Sequence, residues 1–143
     1  AARRASNNCE VGLTVFTADA LVAHVVGDYL LQSHWVAQQK TSRLVVAVAH
    51  ALLYALPFLL LTRSPVALLV IVATHAVIDR YRLVRYVIWL KNQWLAPPSA
   101  RSHGAPTATG FPDETPPWLS VWLLIICDNL AHVVVNALAI RYL

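Results

Sequence analysis

Seven side chains able to hold a metal ion or move a proton lie inside apolar stretches of this chain: His24, Asp28, His50, His75, Asp79, Asp128 and His132. Six of them form pairs four residues apart, His24/Asp28, His75/Asp79 and Asp128/His132, and an i,i+4 pair lies on one face of a helix. The chain has six histidines and seven acidic residues, so more than half of them stand where ionisable groups are most costly to place. Imidazoles mixed with carboxylates suit Zn²⁺ first, with Mn²⁺ or Fe²⁺ as alternatives, and the lack of a thiolate cluster argues against a structural zinc module. Four histidines and three aspartates exceed the needs of one tetrahedral ion, which slightly favours two ions over one ion with orienting partners. All seven are candidate metal ligands, and His24, Asp28, His75 and Asp79 are the candidate catalytic groups. The competing reading is a set of interhelical His/Asp hydrogen bonds that only lock helices together.

The elements that position these groups are helical. At 143 residues the chain is one domain by size, and 58% hydrophobic content, 13% charged residues and a mean hydropathy of +0.57 lie outside the usual soluble range. Apolar runs at 44–61, 66–78 and 118–140, with a fourth at 11–31 interrupted by Asp19, His24 and Asp28, predict an all-α, polytopic membrane four-helix bundle with a polar interior. The expected helices are 17–39, capped by Thr17 or Asp19, then 43–61, 65–95 and 118–141, with a Pro-rich loop at 96–117 that has no core of its own. Pro57 should kink or shorten the second helix, and Ser64-Pro65 matches an N-cap followed by the first helical position of the third. Residues 79–94 read as an amphipathic extension of that third helix lying in or emerging from the membrane interface, or equally as an ordinary solvated helix face.

A formal charge of +4 does not indicate nucleic acid, because the basic residues are scattered between apolar segments. With four crossings, Lys40, Arg43, Arg80, Arg82, Arg85, Lys91 and Arg101 share one face, against Arg3, Arg4, Arg63 and Arg141 on the other. The positive-inside bias puts the first face in the cytoplasm, and Trp35, Trp89, Trp94, Trp118 and Trp122 fall near it as an aromatic belt would. The implied location is the cell membrane, multi-pass, with membrane lipid as the partner. Cys9 and Cys127 are too differently placed to form a disulfide, and the first apolar stretch reads as retained rather than cleaved. His34 reads as interfacial and His103 as solvated; Gln32 and Asn136 read as interhelical contacts or as partners of the ligands.

The run His24-Val-Val-Gly-Asp28-Tyr29-Leu-Leu-Gln32, then His50, then Thr74-His75-Ala-Val-Ile-Asp79, then Asp128-Asn-Leu-Ala-His132 resembles the domain-of-unknown-function family 3307 of small bacterial and phage membrane proteins. The resemblance implies that these histidines and aspartates, with Gln32, are the family's recurring polar positions. Where the family often has an aspartate before the tryptophan that follows the first motif, this chain has His34. No nucleophilic Ser or Cys motif, Gly-rich phosphate loop or cofactor fingerprint is present. The expected activity is metal-dependent hydrolysis of a lipid or lipid-linked ester. Metal or proton transport or sensing, and a non-enzymatic membrane role, are the alternatives.

Overall fold

The computed structural model describes residues 18–101 and 104–143. Thr17, Cys9, Arg3, Arg4 and His103, which entered the expectations above, lie outside the described residues. Among the described residues the chain is all-helical and has no strand. Helix α1 spans Ala18–Val25 and runs on into a π turn, Val26–Leu30; α2 is His34–Gln39; α3 is Leu44–Ala55; α4 is Pro65–Tyr81; α5 is Val84–Leu95; α6 is Pro117–Tyr142.

Two of the four expected helices are therefore each broken in two. The segment expected as one helix over 17–39 ends at Leu31, and Ser33, in extended conformation, caps a new helix by accepting a hydrogen bond from the Val36 backbone N–H at 3.3 Å. The segment expected over 65–95 breaks at Arg82, which takes a left-handed conformation (φ 50°, ψ 49°). There the Arg82 and Leu83 N–H groups turn back onto the Asp79 and Ile78 carbonyls, closing α4 as a left-handed C-cap does. The other signals act as the sequence predicts. Ser64 accepts from the Ala67 N–H with Pro65 at the first helical position, and at Pro57 the α-helix gives way to a 3₁₀ turn, Leu56–Leu60.

Helices α3 and α4 pack most extensively, and α6 lies against α1, α4 and α5. Fully buried alanines, Ala47 and Ala51 on α3 and Ala67 on α4, fit the close approach of these two helices. One apolar cluster joins Ala23, Tyr54, Phe58, Ile71 and Ala139 below the polar centre; a second joins Val84 and Ile88 to Phe111. Phe111 comes from the Pro-rich segment, so that loop borrows a core from α5 where none was expected.

Many large apolar residues face outward. Val45, Leu60, Leu69 and Trp94 are each more than 60% exposed, while His24, His50, His75 and His132 are 0–1% exposed. Among the described residues only α6 is long and apolar enough to cross a membrane; Leu44–Leu60 is a shorter apolar helix.

Candidate metal centre

Four elements deliver the polar groups to one place. The π turn after α1 carries Asp28, α3 carries His50, α4 carries His75 and Asp79, and α6 carries Asp128 and His132. Asp28, His50, His75 and Asp79, all buried, bring one ligand atom each within 4.8 Å of one another, as do Asp79, Asp128 and His132. In the first group His50 Nε2 lies 3.1 Å from Asp28 Oδ1 and 3.7 Å from Asp79 Oδ2. His75 Nε2 lies 3.6 Å and 3.1 Å from the same two oxygens. Ligands about 2.0–2.1 Å from a tetrahedral ion stand about 3.3 Å apart, so these separations are those of a four-donor cage. In the second group His132 Nε2 is 3.6 Å from Asp79 Oδ1 and 3.7 Å from Asp128 Oδ2. Asp79 thus turns one oxygen to each group.

The donor set fits a divalent cation by a second criterion. His75 Nε2 and His132 Nε2 are buried and point among carboxylates without making a hydrogen bond, and both ring nitrogens of His75 are without a hydrogen-bond partner. A buried imidazole nitrogen in that state forfeits the hydrogen bond that normally offsets its desolvation, and a cation among the oxygens and nitrogens restores a partner. The Tyr54 ring stacks on His75, centroids 3.7 Å apart and planes 20° from parallel, and fixes the imidazole plane.

His24 stands apart from both groups. Its Nε2 is 2.7 Å from Asn129 Oδ1, which can only accept, so Nε2 donates and Nδ1, 2.8 Å from the Tyr54 hydroxyl, accepts. The Tyr54 oxygen in turn accepts from Asn136 Nδ2. Both nitrogens of His24 are committed, and Asp28 Oδ2 lies 3.9 Å from Nδ1. The pair still shares a face; what sets His24 apart is that Tyr54 and Asn129 take both of its ring nitrogens.

Three residues beyond the expected set complete the centre. Lys40, at the end of α2, reaches in to 2.8 Å from Asp79 Oδ2 and 3.7 Å from Asp28 Oδ1, and is not the free interfacial cation the charge pattern suggested. Tyr54 lies four residues after His50 and Asn136 four after His132, so the i,i+4 pattern carried a readable signal for Tyr54. Asn129, which had no assigned role, links His24 to Tyr29, to whose hydroxyl its Nδ2 donates at 2.8 Å. His34 is exposed at the start of α2 and meets only Gln38.

A cavity of about 330 Å³ opens beside the centre, lined by Asp28, Gln32, Lys40, Asp79, Arg82 and Asp128 among others. The three aspartates border it together with the cations of Lys40 and Arg82. A family model described as a protein of unknown function (DUF3307) matches residues 16–142. The chain belongs to the DUF3307 family. No curated protein and no solved structure matches it. The match covers Asp28, His50, His75, Asp79, Asp128 and His132, the six residues that converge in the interior of this DUF3307 protein.

Proposed function

We propose that this DUF3307 protein is a multi-pass membrane protein whose interior His/Asp centre holds divalent metal, Zn²⁺ ahead of Mn²⁺ or Fe²⁺, and hydrolyses a lipid or lipid-linked ester. The observation that carries the reading is the cage of Asp28, His50, His75 and Asp79, with orphaned imidazole nitrogens, beside a cavity. The distribution of polarity supports the membrane part: four histidines and two aspartates are buried while many leucines and valines are exposed. Helix α6 has the length to span, and Arg80 and Arg82 at the end of α4 would lie at the interface.

A divalent cation there supplies Lewis acidity to a phosphoryl or carbonyl oxygen and acidifies water. The chain's own groups do the rest. Asp28, His50, His75 and Asp79 hold the ion, with Asp128 and His132 forming the second group around the shared Asp79. Tyr54 orients His75, and Asp128, bordering the cavity and the least buried of the three aspartates, is placed to take a proton from a reacting group.

The test is elemental analysis of protein purified without a histidine tag, followed by hydrolysis of a panel of phospholipids and lipid diphosphates. Stoichiometric metal, and turnover lost in His75→Ala and Asp79→Ala while helicity is kept, is the expected result. Substoichiometric metal with stability indifferent to chelation refutes the metal centre, and ion flux in liposomes without hydrolysis refutes the enzyme.

A further inference from the structure

Arg82 sits in a place that the fold would give to glycine. It is the only non-glycine residue with positive φ among the described residues, and a left-handed C-cap is favoured by glycine because a Cβ there crowds the neighbouring backbone. A side chain kept at such a position against a local conformational cost points to a role for the side chain itself.

The surroundings indicate what that role is. Arg82 lines the cavity beside the aspartates and also an adjoining open basic pocket formed with Arg80, Arg85, Tyr81, Tyr86 and Thr41. The neighbouring guanidinium groups are each held by one hydrogen bond, Arg80 to the Thr41 carbonyl and Arg85 to the Tyr86 hydroxyl, both at 2.7 Å, and the Arg85 Nε is buried without a partner. Lys40, the other cation bordering the cavity, is committed to Asp79. The exposed Arg82 side chain makes no hydrogen bond or ion pair with the described residues.

We infer that Arg82 is the anion-binding residue of this site and that the ligand it receives carries a phosphate group. The planar guanidinium fork matches phosphate with two parallel charge-assisted hydrogen bonds. Three carboxylates on the cavity wall repel an anion, so a phosphate enters only where cations offset them, and of the arginines Arg82 is the one that lines this cavity and spends none of its donors on the described residues. The inference rests on the metal-hydrolase reading for the purpose of the site, while its test is a binding measurement that stands without turnover.

The experiment is calorimetric titration of inorganic phosphate into tag-free protein in maltoside micelles, which contain no phosphate, with the metal the protein retains on purification. Arg82→Gly keeps the left-handed turn, so its melting temperature should be equal to or above that of the wild type and its metal content unchanged. Its phosphate affinity should fall about 10- to 100-fold. Arg82→Lys should fall less, and Arg63→Gln, at the other end of α4, should not fall. Displacement of phosphate by a short-chain phosphatidic acid assigns the phosphate to a lipid headgroup; phosphate binding without such displacement assigns it to a soluble phosphoryl compound, and both support Arg82. Unchanged affinity in Arg82→Gly, an equal loss in Arg63→Gln, or no phosphate binding at all overturns the assignment. Metal-free protein that still binds phosphate through Arg82 sinks the metal reading alone, whereas metal-loaded protein indifferent to Arg82 sinks this inference alone.

Discussion

Replacing Gly27 by alanine tests how the π turn serves the centre. A Cβ built at Gly27 stands 2.6 Å from Tyr54 Cδ2 and 2.8 Å from the Tyr54 carbonyl oxygen. Rotating the tyrosine ring could relieve the first contact but not the second, which is to backbone. Ordinary contact begins at 3.4 Å, so the turn and α3 must part by about 0.6 Å. Overpacking of this kind costs roughly 1–3 kcal/mol, and at about 2–4 °C per kcal/mol it lowers Tm by several degrees. Asp28 is the next residue and moves with the turn, while ligand distances tolerate only about 0.2 Å. Metal affinity should therefore fall by about 10- to 100-fold, the range seen when a ligand's supports are disturbed. The assay is thermal unfolding of detergent-solubilised protein with and without chelator, paired with elemental analysis. Gly104→Ala is the control: Gly104 has a φ of +107° and nothing within 4 Å of its would-be Cβ, so alanine there strains the backbone and should leave metal content alone. Wild-type Tm and metal content in Gly27→Ala would refute the account of how Asp28 is placed.

Tyr54→Phe removes a buried hydroxyl that donates to His24 and accepts from Asn136, and should cost about 1–3 kcal/mol of stability with metal still bound; a Tm within a degree of wild type contradicts it. Lys40→Met removes the cation nearest Asp79 and Asp28, so chelated protein should lose at least about 1 kcal/mol while metal-loaded protein loses less, widening the Tm gap on chelation. An unchanged gap argues that Lys40 does not share these carboxylates with a metal. Asp79→Asn should reduce metal content more than Asp128→Asn, because Asp79 belongs to both ligand groups and Asp128 to one; equal losses, measured by elemental analysis, count against the shared carboxylate.

The seven polar positions were legible because their cost in apolar sequence makes them conspicuous, and the structure brings six of them into two overlapping groups. The helices that stay whole, α3, α4 as far as Tyr81, and α6, have clean caps or prolines. What the sequence did not disclose depends on backbone conformations with no composition signature. The π turn at Val26–Leu30 has no such signature, and His24, still beside Asp28, is claimed by Tyr54 and Asn129, 30 and 105 residues away. The break at Arg82 lacks the glycine that normally marks such a turn. Lys40 was invisible as a site residue because a lysine in a polar turn looks like an anchor at the interface, and only the fold brings it to an aspartate 39 residues away.

Lipid tails are as apolar as leucine, so a helix with leucine on its outer face gains little by turning it inward within a bilayer. The apolar packing inside this bundle is modest, one cluster around Tyr54 and Phe58 and another around Phe111. At the level of Asp28, Asp79 and Asp128 the interior carries three carboxylates against the one ammonium of Lys40. Helix docking would then be limited by the supply of counter-charge: chains made under metal starvation should assemble slowly and be cleared early. On the proposed reading, loading the site and completing the fold would be one event.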